Sequence, residues 1–215
     1  KKYKGLSFTT IMNQGDYINI IIKSVLSSIL LGAVLAIIVL ALFLKDIRPT
    51  IVVAFSIPFS VLFAIIIMYF TGININVMSL AGLCLGIGML VDNSIVVMEN
   101  IYRFRNEGMS ASKAAVRGTA QVAGPILAST ITTICVFLPM VYTSGMVSQL
   151  LMPFAFTISY ALIASLLVAL TVVPTMGSVL LRKTKDVKQP WFDKIKDVYG
   201  KVLEMALRFK IVPLV

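Results

Sequence analysis

The chain has 215 residues, of which 59% are hydrophobic and 13% charged, and its formal net charge is +10. Soluble domains contain about 45–50% apolar and about 25% charged residues, so this composition indicates an integral membrane protein. The positive charges cluster between apolar runs and form no basic face with interleaved aromatic residues, which argues against a nucleic-acid partner. The chain contains no histidine, which excludes histidine-based metal sites and Ser-His-Asp triads within it.

Five apolar runs are long enough, at about 20 residues, to cross a bilayer as helices. In chain order they cover about 24–44, 50–70, 77–98, 122–142 and 154–181. We therefore expect an all-α membrane protein, a bundle of about five transmembrane helices. The polar residues 1–23 precede the first span, and residues 211–215 begin a further apolar run. We expect both ends to be cuts through a longer protein.

Basic residues predict the orientation of the spans. Lys45 and Arg48 follow the first span, a basic loop follows the third, and a basic linker beginning near Arg182 follows the fifth. The connections 71–76 and 143–153 carry no charge. By the positive-inside rule the basic connections are cytoplasmic and the N-terminus is external. The lysines within residues 1–23 fit this orientation if that segment is the tail of a missing external domain, since long domains translocate regardless of charge.

Residues 183–210 combine a basic linker with an amphipathic pattern. Trp191, Ile195, Val198 and Val202 recur at helical spacing, and charged residues take the other face. This pattern predicts a helix over 191–209 that lies on the cytoplasmic membrane surface. A helix docked on a soluble partner is the alternative.

The third span contains one carboxylate, Asp92, in the string GIGMLVDNSIVVMEN. A charge at that depth costs about 3 kcal/mol even on the gentler insertion scales, so an acid there indicates an ion or proton site. Desolvation favours the protonated acid and a nearby cation favours the carboxylate, so an acid between the two influences can bind and release a proton. Asn93 can donate to the ionised acid or accept from the protonated one. The alternative is that Asp92 only bonds a neighbouring helix.

Other polar residues are candidate relay groups. Glu99 lies two turns after Asp92 on roughly the same face and either helps a proton leave or marks the helix end. Ser129, Thr130 and Thr133 in the fourth span either bind a relay water or bond neighbouring helices, and the second interpretation is favoured.

Three glycines precede the acid, Gly82, Gly86 and Gly88. Small residues allow helices to approach closely in a membrane, so we expect these glycines to be packing positions. The sequence has no GxxxxGK[ST] phosphate loop and no second acid at the depth of Asp92. We therefore expect no enzyme, no metal centre and no cofactor.

Several motifs resemble one transporter superfamily. GIGMLVDNSIVVMENIYR, then STITTICVFLPM, then TVVPTMGSVLLRK are similar to segments of the RND (resistance-nodulation-cell division) superfamily, and the order of elements matches along essentially the whole chain. SecDF-type export motors share a similar GIGMxVD segment. The ENI and FLPM continuations favour the AcrB-like hydrophobe/amphiphile efflux branch.

The resemblance implies twelve spans in two repeats, of which this chain supplies spans two to six, a surface helix and the start of the seventh. It implies proton-driven efflux of drugs or other hydrophobic or amphiphilic compounds from a prokaryotic cytoplasmic (inner) membrane. It also implies a homotrimer, contact with membrane lipid, a periplasmic adaptor as partner, and a lysine from the second half of the same transporter opposite Asp92. The chain departs from the family at Asn93, where such proteins commonly carry a second acid. An RND relative that exports lipid, metal ions or protein, and a non-transporting membrane scaffold, remain as alternatives.

Overall fold

The structure is a computed structural model that describes residues 14–44, 47–183, 199–201 and 204. These residues form five long helices: α1 (Gln14–Leu44), α2 (Ile47–Thr71), α3 (Val77–Asn106), α4 (Ala111–Val141) and α5 (Met146–Leu180), followed by a 3-10 turn at Leu181–Lys183. Each helix contains a segment long and apolar enough to cross a membrane. No strand occurs in the part of the chain that the structure describes. The predicted all-α bundle of five spans is confirmed.

The helices extend beyond the apolar runs that predicted them. α1 begins at Gln14, so residues 14–23, expected to belong to an external tail, are part of this helix. α3 continues to Asn106 and α4 begins at Ala111, both well outside the runs 77–98 and 122–142. Hydropathy marks the segment inside hydrocarbon, whereas the helical hydrogen bonds continue as long as the residues permit them. Asp16 in the first turn of α1 also favours an early start, because a negative charge stabilises a helix N-terminus.

Short local motifs set the connections between α2, α3 and α4. Gly72 ends α2 with φ of 72°, a conformation that favours glycine. Asn76 and Ser79 then form a reciprocal capping box at the start of α3: the Asn76 side chain accepts from the Ser79 N–H at 2.8 Å and the Ser79 hydroxyl accepts from the Asn76 N–H at 2.7 Å. Gly108, with φ of 93°, turns the chain between α3 and α4. These connections are tight, so neighbouring helices run antiparallel.

α5 is the central helix of the bundle. It packs against α2, α3 and α4, and it is the most buried of the five apolar segments. α1 contacts α2 and α3 but buries none of its apolar window within the described residues. The buried positions of α5 are largely small side chains: Ala155, Thr157, Ala161, Ala164, Ser165, Ala169 and Gly177. Lipid removes the hydrophobic force between helices, so close contact through small residues is what holds them together.

Basic side chains gather at one end of the bundle, where α2 and α4 begin and α3 and α5 end. We call this the basic end and define it by Arg48, Arg103, Arg105, Lys113, Arg117 and Arg182. The uncharged connections predicted at 71–76 and 143–153 lie at the opposite end.

The chain divides into two compact units, Lys1–Thr184 and Lys185–Val215. Of the second unit the structure describes Tyr199, Gly200, Lys201 and Glu204, which are helical. The remainder of the predicted surface helix at 191–209, the start of a further span at 211–215 and residues 1–13 of the predicted tail lie outside the described residues.

Candidate functional site

Asp92 lies on an open face of α3. Its side chain is exposed in this chain, as are those of Glu99 and Arg103, and the spacing of seven and eleven residues places all three on one side of the helix. Among the residues that the structure describes, none forms a hydrogen bond or an ion pair with the Asp92 carboxylate. The first cation on this face, Arg103, lies roughly 16 Å further along the helix axis. The described residues therefore leave the acid of α3 on an uncovered surface.

Asn93, rotated by about 100° from Asp92, reaches into the bundle. Its side-chain amide donates to the Thr130 hydroxyl of α4 and to the Ser165 hydroxyl of α5, each at 3.4 Å. Ser165, fully buried, donates in turn to the Leu90 carbonyl of α3 at 2.7 Å. One polar cluster thus joins α3, α4 and α5 one residue after the exposed acid. These hydrogen bonds lie on the side of α3 that packs in the bundle, and Asp92 lies on the open side.

The structure brings one of the three predicted relay hydroxyls to this cluster. Thr130 is buried and contacts Asn93. Ser129 is exposed, and the Thr133 hydroxyl donates to the Ser129 carbonyl within α4 at 2.9 Å. A hydroxyl that bonds the carbonyl four residues earlier satisfies itself locally and connects nothing across helices. Ser129 and Thr133 therefore lie apart from the site.

Ser165 was not predicted by the sequence. It is one of several hydroxyls in the run SYALIASLLVAL, and other hydroxyls of α5, such as those of Ser159 and Thr171, only bond carbonyls of their own helix. The one available signal was its place among the small residues of the run. Which small residues of α5 face another helix depends on the rotation of α5 against its neighbours, and the sequence of α5 alone does not determine that rotation.

Asn100 is a second residue that sequence reasoning missed. It follows Glu99 directly, but Glu99 is exposed and Asn100 is buried. The Asn100 amide donates to the Gly118 carbonyl at 2.7 Å and to the Gln121 side-chain oxygen at 3.1 Å. Arg103 donates to the same Gln121 oxygen at 3.0 Å. Asn93 and Asn100 thus attach one side of α3 to its neighbours, and Asp92 and Glu99 remain on the open side.

Two of the three predicted packing glycines lie against α5. A Cβ atom at Gly82 would lie 2.8 Å from the Phe154 carbonyl oxygen, and one at Gly86 would lie 2.8 Å from the Cβ of Ala161. Gly88 has no such neighbour within 4 Å among the described residues. The packing contact expected of Gly88 is therefore not made within the described residues, because a step of two residues from Gly86 rotates it onto the open side with Asp92.

Arg105 joins three segments at the basic end. Its guanidinium donates to the Leu181 carbonyl at 3.1 Å, to the Met109 carbonyl at 3.0 Å and to the Arg182 carbonyl at 3.5 Å. These are carbonyls that the end of α5 and the loop after α3 leave without a helical donor. The contact ties the end of the acid-bearing helix to the end of α5.

Within the described residues no cluster of three or more acidic or sulfur side chains could hold a metal ion. The arrangement combines an open acid at mid-membrane depth with an internal polar cluster behind it. An acid in that position can accept and release a proton, and it can pair with a cation supplied from outside the described chain. The fold and this site define a multi-pass membrane protein of the transporter class.

The family follows from comparison with known proteins. Residues 3–215 match the family described as AcrB/AcrD/AcrF. The chain belongs to this family, and it is part of the membrane domain of an RND transporter.

Two relatives illustrate the similarity in sequence. The swarming motility protein SwrC of Bacillus subtilis (strain 168) is 35% identical over 216 residues, which cover 97% of this chain and 20% of SwrC. The multidrug resistance protein MdtC of Escherichia coli (strain K12) is 37% identical over 193 residues, which cover 86% of this chain and 19% of MdtC. The chain thus spans about a fifth of the length of these relatives.

A solved structure shares the fold. It is the crystal structure of a heavy metal efflux pump, 34% identical in sequence, with a TM-score of 0.66 over 76% of this chain and 16% of the pump. Its similarity covers the larger part of the helical bundle.

Proposed function

We propose that this chain is part of the proton-translocating membrane domain of a secondary active exporter, and that Asp92 is its proton-carrying group. The observation that carries the proposal is the exposure of Asp92 on a helix of spanning length. A carboxylate facing lipid at that depth is costly, on the order of 3 kcal/mol or more. The open face of α3 is therefore a protein contact in the intact transporter.

That contact supplies the counter-charge that the described chain lacks. The resemblance to RND exporters implies a lysine from the second half of the same transporter. A lysine ammonium beside Asp92 would form an ion pair with the carboxylate, and protonation of the carboxylate would end that ion pair. Alternate pairing and protonation would link proton movement to a change in helix position. No ATP-binding motif is needed for this cycle.

Asn93 acts in this proposal as a positioning residue. Its amide is bound to α4 and α5, so it holds α3 in the rotation that turns Asp92 toward the second half. Asn93 cannot carry a proton itself. This half of the transporter then offers one acid at this depth, and Glu99, two turns closer to the basic end on the same face, is the candidate relay for the proton's exit.

The substrate is proposed from the relatives. MdtC is a multidrug resistance protein at 37% identity, which supports export of drugs or other hydrophobic and amphiphilic compounds. A heavy metal efflux pump shares the fold at 34% identity, so metal export is the second candidate. Export of lipid or protein and a scaffold without transport are the further alternatives. The proton site is common to all of the transporting candidates, and the external domain of the full-length protein distinguishes their substrates.

The proposed setting is a prokaryotic inner membrane with the basic end in the cytoplasm. The basic end supports this orientation through the positive-inside rule. The full-length protein is proposed to form a homotrimer in contact with lipid and with a periplasmic adaptor, as the resemblance to RND exporters implies.

Drug efflux by the full-length protein in energised inverted vesicles tests the proposal. We expect Asp92→Asn to reduce proton-driven efflux to the level of de-energised vesicles, because the amide keeps the shape of the acid but binds no proton. Glu99→Gln is the matched comparison, since it neutralises an acid on the same face, and we expect it to keep part of the efflux. Both variants are compared at equal membrane levels.

The outcomes separate the candidates. Unchanged efflux by Asp92→Asn would refute the proton role and leave Asp92 as a packing residue. If the wild type exports a divalent metal but no drug, and Asp92→Asn loses that metal export, the proton role of Asp92 stands and the substrate is a metal ion.

A further inference from the structure

An open groove with a volume of about 480 Å³ lies between the beginning of α4 and the end of α5. Its walls are small, hydroxyl-bearing or apolar residues, among them Ser112, Val116, Ala120, Leu170, Pro174 and Ser178. Because α4 and α5 are antiparallel, Ser112 and Ser178 mark its mouth at the basic end. The eight-residue step from Ser112 to Ala120 gives the groove a depth of roughly 12 Å along α4. It lies on the side of α4 that faces α5, away from the open face of α3.

The deeper part of the groove suits a hydrocarbon chain, with one exception. Thr119 lines the groove, and its buried hydroxyl oxygen has no hydrogen-bond partner among the described residues. A hydroxyl without a partner in an apolar setting costs free energy that a nearby acceptor recovers. This oxygen has almost no accessible surface, so an occupant of the groove does not reach it, and the groove offers a hydrocarbon chain mainly small and apolar contacts.

The mouth of the groove is positively charged. Lys113 lies next to Ser112 and on the same side of α4 as Val116, and Arg182 lies one turn after Ser178; both are exposed. The N-terminus of α4 adds partial positive charge, because the Ser110 side chain makes no capping hydrogen bond there. The described acid in the neighbouring loop, Glu107, forms its ion pair with Arg103 instead.

We infer that this groove is a binding site for an anionic phospholipid of the leaflet at the basic end. The phosphate lies between Lys113 and Arg182, and one acyl chain follows the small residues of α4 toward Ala120. The charge at the mouth selects an anion, and the apolar depth selects an amphiphile over a free phosphate. The site is separate from Asp92 and does not depend on the proton mechanism.

Quenching by brominated lipid tests the site. The full-length protein carries a bimane label at Ala120→Cys, with Cys84, Cys135 and any further cysteine replaced by alanine, in bilayers that contain brominated-chain phosphatidylglycerol or phosphatidylcholine at equal mole fraction. The control label is at Ala128→Cys, which is exposed on α4 and does not line the groove. We expect phosphatidylglycerol to associate at position 120 about fivefold or more tightly than phosphatidylcholine, since each nearby cation contributes that much, and we expect no preference at position 128.

Two variants test whether the basic residues at the mouth cause the preference for phosphatidylglycerol. Lys113→Gln with Arg182→Gln should bring the preference at position 120 close to one. Arg103→Gln removes an exposed cation of the basic end that lies on α3 and contacts the Gln121 and Glu107 side chains, and it should leave the preference unchanged. Equal quenching by the two lipids in the wild type would overturn the inference, as would weak quenching by both, which would mean that another part of the protein covers the groove. An equal loss of preference in Arg103→Gln would overturn it too, because general surface charge would then explain the binding.

Discussion

Asp92 and Asn93 are adjacent in sequence and face different surroundings. Successive residues of an α-helix are rotated by about 100°, so the Asn93 amide reaches Thr130 and Ser165 while the Asp92 carboxylate lies on the open face. The same division recurs two turns later, where Asn100 is buried and Glu99 is exposed. On α3 the amides attach the helix to its neighbours, and the acids remain available to groups outside the described chain.

The Asn93 cluster makes a measurable contribution at the scale of one residue. Ser165→Ala removes the acceptor of one Asn93 bond and the donor to the Leu90 carbonyl, so we expect a loss of about 0.5–1.5 kcal/mol in the free energy of unfolding. Equilibrium unfolding of the purified protein in mixed detergent micelles measures it. Ser159→Ala is the control, because the Ser159 hydroxyl bonds only a carbonyl of its own helix at 2.8 Å. Equal losses in the two variants would contradict a special role for Ser165.

At the scale of elements, the parallel pair α3 and α5 is the most closely packed part of the bundle. Gly86 meets Ala161, the Leu90 carbonyl meets Ser165, and Arg105 meets Leu181, so the two helices stay in register from the middle of the membrane to the basic end. Arg105 closes this register by bonding carbonyls beyond the end of α5. The contact between α3 and α5 therefore extends from the level of Gly86 to the basic end.

Gly86→Leu tests the close approach of these two helices. A leucine at Gly86 would collide with Ala161, and we expect a loss of about 1–3 kcal/mol, seen as a lower thermal unfolding midpoint of the full-length protein in detergent. Gly124→Leu is the matched control: it makes the same change on α4 and not on the open face of α3, at a position where the described residues leave space within 4 Å. Similar midpoints for the two variants would show that α3 and α5 do not approach as closely as described.

Arg105 has its own test. Arg105→Gln removes charge-assisted hydrogen bonds to three backbone carbonyls, so we expect amide hydrogen exchange in the turn Leu181–Lys183 to become about tenfold faster. Arg103→Gln is the control, since Arg103 contacts the Gln121 and Glu107 side chains and not α5. Hydrogen-exchange mass spectrometry of the full-length protein measures the exchange in this turn for both variants. Unchanged exchange in Arg105→Gln would mean that this end of α5 is held by other contacts.

At the scale of the whole molecule, the chain corresponds to part of the membrane domain of an RND transporter. It spans about a fifth of the length of its relatives, and the acid-bearing face of α3 is open within it. The counter-charge, the external domain and any partner subunits belong to the remainder of the proposed protein. The described helices supply the framework in which the acid is held.

Residues 1–215 expressed alone should not transport. The missing second half leaves Asp92 without a cation, so we expect no substrate-dependent proton flux when the purified chain is reconstituted in liposomes with a pH gradient and a pH-sensitive dye. The full-length protein in parallel liposomes is the positive control. Flux through the shorter chain would contradict the need for a partner at the open face.

The sequence by itself determined the class of fold, the number of spans and the identity of the acid. Apolar runs of spanning length form helices in lipid, because helices satisfy their own backbone hydrogen bonds. A carboxylate within such a run costs so much free energy that it indicates a functional site. The resemblance of GIGMLVDNSIVVMENIYR to RND proteins pointed to the family that the comparisons show. The spacing of small residues also predicted close packing at Gly82 and Gly86, because such residues allow helices to approach closely in a membrane.

The tertiary structure decided which residues accompany the acid. Thr130 joins Asn93 while Ser129 and Thr133 do not, and Gly88 lies on the open face although it continues the glycine pattern. Ser165 and Asn100 became visible through their contacts with Leu90, Gly118 and Gln121. The physical reason is that a polar residue's partner depends on the rotation and register of two helices at once. Neither quantity is encoded in the hydropathy or spacing of one helix.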